Sequence, residues 1–434
     1  MDVKKLSIPH LAHQHARPFF ELEKHILDNQ VKIEGWFREA WQTQPPLFTS
    51  SVDLRNAGFK LGSVDANVFP AGFNNLNPDF FPFCILAAKQ FLNDYYPHCK
   101  NIVIIPENHT RNMHYYQSVA TLKQIIEKAG YEVRVGSTLL EDEPIEVALE
   151  NNETLTLHPI KRIDNKLTVG DFIPCLVILN NDLSEGVPPL LQALEQPIEP
   201  DTILGWSIRS KTQHCIFYQK ICENFAKLIN IDVWQICPLF TDHQQIDFIK
   251  REGIDALIEK ADSLLTQIQH KYHQYNIEFS PFVVIKADAG TYGMGVMPIH
   301  DPKQLKTLNR KQRMSMSVRK GGQSVDRVII QEGIPTFETI GIHHNVAEPV
   351  VYMLGQHVIG GFYRVHQARD IFENLNSPGM HFEKLSFAAC CNNPDNRLSP
   401  HEAQNQFYVY SVIARLAALA ISYEKTALLQ EYKT

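Results

Sequence analysis

The chain has no uninterrupted run of the ~18 uncharged apolar residues that a membrane-spanning helix requires. Its nearest approach, FYVYSVIARLAALAISY at 407–423, is broken by Arg415 and reads instead as a packed helix. The opening stretch MDVKKLSIPHLAHQHARPFF lacks the apolar core and small-residue cleavage site of an export signal. Eight cysteines are present but none forms a CxxC pair, which excludes zinc-ribbon and thioredoxin-like signatures. Without an export signal the thiols are expected to be reduced, in the cytoplasm. The adjacent Cys390 and Cys391 read as small core residues at a sheet edge. An excess of basic residues is missing too: a net charge of −7 argues against a general nucleic-acid binder. His10, His13 and His15 lie close together, yet no carboxylate or cysteine accompanies them, so a solvated segment is expected there rather than a metal site. No internal repeat and no low-complexity tract is visible.

What is present is the composition of an ordinary globular protein, 44% hydrophobic and 21% charged, in a chain too long for one small core. Residues 1–50 have helical spacing, and 50–82, rich in Asn, Asp, Gly and Pro, read as ordered loop around short strands. NIVIIP, then a helix with Val119, Leu122, Ile125 and Ile126 on one face and a stop at Gly130, then EVRVG, make a βαβ unit and hence a parallel sheet. PCLVILNND at 174–182 offers a further buried strand. Ligands gather at the carboxyl ends of parallel strands, so NHTRN (108–112) and NND (180–182) place a substrate pocket in this lobe. EQPIEPDT at 195–202 marks a boundary, giving an N-terminal α/β substrate-binding lobe at 1–200 and a nucleotide-binding region at 201–434. Helical segments at 212–229 and 244–275 follow, and 349–365 is a hairpin about Gly355-Gln356.

The informative stretch is VVIKADAGTYGMGV. A strand ends at Lys286 and runs into Gly290, Gly293 and Gly295, whose backbone N–H groups can approach phosphate. It is neither a Walker A loop nor a GxGxxG fingerprint, and by itself a permissive turn explains it equally well. IIQEGI then supplies a strand ending in Gln331, Glu332 and Ile334, which suits an adenine edge. Arg364 closes the hairpin, and Glu373, Asn374 and Asn376 crowd before a Pro-Gly turn as oxygen donors suited to Mg²⁺. Taken singly, all but Lys286 have plain structural explanations: a capped loop, a paired arginine, a turn. Their succession is what points to nucleotide chemistry. IPENHTRN, by contrast, has no glycine fingerprint for a dinucleotide-binding dehydrogenase.

That succession resembles the ATP-grasp superfamily, and more closely its ATP-grasp-like glutamate–cysteine ligases. The resemblance spans nearly the whole chain and is most specific in VDLRNAGFKLGSVDANVFPAGFNNLN, VIKADAGTYGMGVM and ENLNSPG. It implies an N-terminal parallel-sheet (pre-ATP-grasp-like) α/β lobe followed by an ATP-grasp-like α+β nucleotide-binding region. It further implies ATP-dependent ligation of the glutamate γ-carboxylate to the cysteine amine through an acyl phosphate, giving γ-glutamylcysteine. Lys286 and the glycine loop would hold the phosphates, with the basic 305–327 loop as a further aid. Arg364 would face the transferring phosphoryl group, and Glu373 with Asn376 would hold Mg²⁺. Arg55, Arg111, Asp65, Asn67, Asn74 and Asn75 would bind the amino acids, and Arg209, Lys211 and His214 could add a contact. One departure stands out: the superfamily pairs two separated acids with an acid-x-Asn, whereas ENLN is one residue longer, leaving Asp370 or Glu348 as candidates for the second acid. The partners implied are small molecules, with no nucleic acid and no membrane; a homo-oligomer stays open. A ligase for another amino-acid pair, or a nucleotide-binding regulator without chemistry, are the competing readings.

Overall fold

The structure, a computed structural model, describes residues 17–108, 112–150, 152–290, 295–318, 322–385, 394 and 403–432. The βαβ unit forms as its periodicity dictates. Strand Asn101–Pro106 lies between Leu176–Asn180 and Glu132–Ser137, with Ile198–Glu199 and Thr154–Pro159 extending the parallel sheet and Ile145–Ala148 closing one edge antiparallel. Helix Met113–Lys128 starts on Asn112, whose side chain accepts from the Tyr115 N–H. It buries Val119, Leu122, Ile125 and Ile126 with Ile102, Ile104, Val133 and Val135 in one core.

The second sheet is antiparallel, in the order Met380–Lys384, His357–His366, Asn345–Leu354, Thr49–Asn56, Leu61–Asn67. Its hairpin turns at Gly355, where φ is +58°. A division at residue 200 therefore does not follow the sheets. Within 50–82, expected as ordered loop around short strands, Thr49–Asn56 and Leu61–Asn67 are full strands paired with each other, and the first also pairs with Asn345–Leu354, far away along the chain, which leaves no local sequence signal. Helix Ala403–Glu431 lies against this sheet. The arginine that interrupts its apolar run is held by Glu34, with Arg415 Nη1 and Nη2 donating at 2.9 and 2.8 Å. Among the described residues no helix is long and apolar enough to cross a membrane.

The third sheet, Phe240–Gln244, Arg327–Glu332, Val283–Ala287, Val296–Ile299, is antiparallel and carries helix Ile254–Gln274 on one face. The segment 244–275 is thus a helix preceded by a strand end and a turn, the short FTDHQ strand being too brief to show its period. Lys60, at the turn between Thr49–Asn56 and Leu61–Asn67, joins the two antiparallel sheets: fully buried, it donates to Glu332 at 2.7 Å and to the Cys237 carbonyl at 3.0 Å. Glu332 also accepts from Trp234 Nε1 at 3.0 Å and Leu239 N at 2.8 Å, and the Lys60 ammonium lies over the Trp234 ring. The expectation of reduced thiols needs one correction: Cys99 and Cys175 form a disulfide, because parallel pairing of the strands they precede brings their Cα atoms to 5.5 Å. Cys390, Cys391 and the three N-terminal histidines lie outside the described residues.

Removing one partner of a buried ion pair strands the other, at about 3–5 kcal/mol. Glu332→Leu should therefore lower unfolding free energy by about that amount in denaturant titrations, and Lys60→Met added to it should recover most of the loss. Glu338, buried beside Asn56 and Tyr410, has its carboxyl pushed up to about 8 by desolvation. The folded state then keeps a proton that the unfolded chain gives up near pH 4.5, so stability falls as pH rises from there towards 8. Glu338→Gln should flatten the thermal midpoint's pH dependence across that window; an unchanged slope would remove Glu338 as its source.

Candidate active site

Alternation along the strands sends every second side chain of the antiparallel sheet to one face, and there the charges collect. Glu348 sits opposite Arg364 in register, and Asp53 opposite Asp65. Glu348 accepts from Arg55 Nε at 2.9 Å and Arg364 Nη1 at 2.5 Å, and the same Arg364 nitrogen donates to Asp53 at 2.9 Å. Burial opposes the ionisation of Glu348, yet the two guanidinium groups hold its carboxyl below its ordinary value. Asp53 goes the other way: desolvation, with Glu348 and Asp65 as negative neighbours, outweighs Arg364 and raises it.

Across a cleft stands the lysine sheet. Lys286 reaches over to donate to the Val64 carbonyl at 2.8 Å and to Gln331 Oε1 at 2.7 Å. Lys211, first residue of helix Lys211–Ile229, binds Asp65 at 2.6 Å. Both ammonium groups thus meet neighbouring residues of one strand. Desolvation lowers Lys286 to about 8. Burial would raise Asp65, but Lys211 and Lys286 hold it down to about 2. Asp288 fixes the two lysines relative to each other: its carboxylate caps that helix, accepting from Thr212 N at 2.8 Å and Thr212 Oγ1 at 2.6 Å, two residues after Lys286.

The cleft is lined by Asp53, Arg55, Asp65, Lys211, Lys286, Gly290, Gln331, Glu332, Ile334, Glu348, Arg364, Phe372, Glu373, Asn374 and Asn376, among others. It encloses about 750 Å³ of empty space, part of it open to solvent. Several expected residues hold different posts from those foreseen. Arg55 spends its guanidinium inside the protein, on Glu348, on the Ile334 and Ile371 carbonyls and, at 2.5 Å, on the Glu373 carbonyl, so it fastens the 371–376 loop rather than offering a free fork. The Glu332 carboxylate belongs to Lys60 and Trp234, and the N–H groups of Glu332 and Gly333 bind Leu239 and Phe282 carbonyls. The Glu373 carboxylate takes Arg369 at 2.5 Å and the Asp370 N–H. Gly295, at φ +63°, packs against Ala287.

Asn67, Asn74 and Asn75 do not line the cleft. Asn67 accepts from the Phe69 N–H, while Asn74 and Asn75 sit in a short 3-10 turn against helix Met113–Lys128. At the strand ends, Asn180 is tied to Tyr115 and the Pro70 carbonyl. Gly293 and Arg111 lie outside the described residues. The sequence reading passed over Asp53, two residues before the arginine it chose, although the same alternation that selects Arg55 selects Asp53. Among the described residues no group of three or more His, Cys, Asp or Glu forms a ready metal cluster.

Comparison with known proteins shows the family. The proposed gamma-glutamylcysteine synthetase of Methylobacillus flagellatus KT superposes with a TM-score of 0.90 at 46% identity, covering 98% of this chain and 99% of that one. A glutathione synthetase-like effector of Globodera pallida, covering 84% of this chain and 80% of its own, reaches a TM-score of 0.38 at 11% identity, too low to carry an argument. No curated protein matches the chain. The family profile described as glutamate-cysteine ligase matches residues 23–425, and the chain belongs to that family.

Proposed function

We propose that the cleft between the two antiparallel sheets performs the family's reaction on ATP, L-glutamate and L-cysteine through an acyl phosphate. The observation that carries this reading is the convergence of Lys286 and Lys211 on one strand, facing carboxylates and Arg364 across a part-open cleft. An oxygen of the glutamate γ-carboxylate would form a bond to the γ-phosphorus while the bond to ADP breaks. The deprotonated cysteine amine would then attack the acyl carbon and expel phosphate. Two anions must meet in the first step, and both lysines with Arg364 lower their repulsion in a site of reduced dielectric. The backbone beyond Lys286, with Gly290 at φ +109°, would close near the phosphates. Ile334 and Phe372, which also line the cleft, would pack against the base.

For Mg²⁺ the donor set fits Asp53 and Asp65 better than Glu373 and Asn376. Two carboxylates directly opposite on paired strands repel, and a hard cation between them would remove that cost. Asp53 and Asp65 would be the two separated acids expected of the superfamily. Bound there, the ion would screen phosphate charge. Each of these acids meets a cation, Asp53 Arg364, Asp65 Lys211 and Glu373 Arg369, so the preference rests on the opposed placement of the two aspartates.

Phosphate release should require glutamate and cysteine together, with γ-glutamylcysteine identified by mass spectrometry; release with another pair would discard the specificity, and pair-independent ATP binding would favour the regulator. Outer-sphere partners of a metal typically cost 10–100-fold when lost, so Asp53→Asn should cut turnover at least roughly 100-fold and raise the Mg²⁺ needed for half-activity, with Glu373→Gln doing far less. The reverse ranking would return the metal to the 373–376 loop. Lys286, near 8 when the site is empty, binds phosphate only as the ammonium. Mg-ATP affinity should fall as pH rises from 7 to 9, with proton uptake on binding in calorimetry above pH 8; both effects should vanish in Lys286→Gln.

A further inference from the structure

Behind the strand that Lys286 and Lys211 touch, the cleft continues into a smaller recess lined by Trp206, Arg209, His214, Cys215 and Tyr218. Val64, Asp65, Lys211, Lys286 and Gln331 line both spaces, so the recess adjoins the cleft. At its wall, Arg209 is buried to 1% exposure of its side chain beside an equally buried Glu424. Nε donates to Glu424 at 2.9 Å and Nη1 to the Ala66 carbonyl at 2.8 Å. Nη2 makes no hydrogen bond and neither does His214 Nε2, while His214 Nδ1 faces Glu424 Oε2 at 3.3 Å. The Trp206 indole carries both cations, Arg209 at 4.9 Å and Lys211 at 4.5 Å from the ring centre.

A buried donor left unsatisfied costs about 1–3 kcal/mol, more when charged, so an orphaned guanidinium nitrogen here calls for an acceptor. Charge gives its sign. Arg209 is paired with Glu424 and Lys211 with Asp65, so the positive charge in excess where recess and cleft meet is that of Lys286, which the phosphates would share. Burial pushes His214 down, keeping it neutral and able both to donate and to accept. The recess is small against the main cleft, so it suits one end of a ligand.

Resting on the ligase reading, we propose that this recess binds the α-carboxylate of an amino-acid substrate, with Arg209 Nη2 as its hydrogen-bond donor and His214 as the wall beside it. Arg55, the arginine the sequence suggested for this task, is fully engaged elsewhere. Glutamate and cysteine both carry such a carboxylate, and the test separates them.

The measurement is steady-state kinetics on the full chain, unaltered and with Arg209→Lys, His214→Gln or the pair Arg209→Met and Glu424→Gln, which removes both buried charges together. Each is assayed with glutamate against 4-aminobutyrate and with cysteine against cysteamine, analogues that lack only the α-carboxylate. The expected result is a rise of about tenfold or more in KM for one amino acid, with KM for ATP and for the other within about twofold. Preference for that substrate over its decarboxylated analogue should collapse by a similar factor, a change that misfolding does not produce. A collapse on the glutamate side assigns the recess to the donor; on the cysteine side, to the acceptor. Unchanged preference in folded, active variants overturns the proposal and leaves the recess to a trapped water only. Absence of product from the unaltered protein would instead overturn the ligase reading, and this assignment with it.

Discussion

Everything in the cleft depends on how Glu348 is held. It lies 4% exposed between two arginines, and an ionised carboxylate there is tolerable only because both guanidinium groups reach it. Arg364 passes the charge on to Asp53, and Arg55 passes its remaining donors to carbonyls of the 333–334 and 371–373 backbone. One side chain therefore sets the position of Arg364, of Asp53, and of the loop that walls the cleft. Within this group Arg55 and Arg364 balance Glu348 and Asp53, and Lys211 balances Asp65. Lys286 is left over, bound only to neutral acceptors. A site that balances all but one of its charges is suited to an anion.

How much of this was legible depended on distance along the chain. Local signals served well: the stripe of helix Met113–Lys128, the hairpin at Gly355, the lysine before its glycines, and the α/β class all follow from periodicity and turn chemistry. The central sheet was not legible, since Thr49–Asn56 pairs with Asn345–Leu354 and nothing in VDLRN announces its partner. For the same reason Lys60 in GFK reads as a surface lysine until Glu332 closes on it. Arg55 shows a further limit. Residue type suggested a substrate-binding cation, but only the structure shows that carbonyls from remote segments have already taken its donors. The resemblance, resting on ordered motifs rather than single residues, fared better than any residue-by-residue assignment of substrate contacts.

The buried charges also say something about why the molecule is built from interlocked rather than separable halves. A hydrophobic pair in place of Lys60 and Glu332 would be as stable or more so, since desolvation consumes most of what the ion pair gains. What the pair supplies is direction: Glu332 accepts from Lys60, Trp234 and Leu239 at once, and this fixes the end of strand Arg327–Glu332 against the turn that starts Leu61–Asn67. Asp288 does the same at the other end, tying the start of the glycine loop to the helix that carries Lys211. The two sheets are thereby pinned on both flanks of the cleft. Chemistry that joins two anions and protects a hydrolysable intermediate needs opposing charged walls held at fixed separation. Apolar packing alone, which tolerates sliding, would specify that separation less well than directional pairs with no alternative partner.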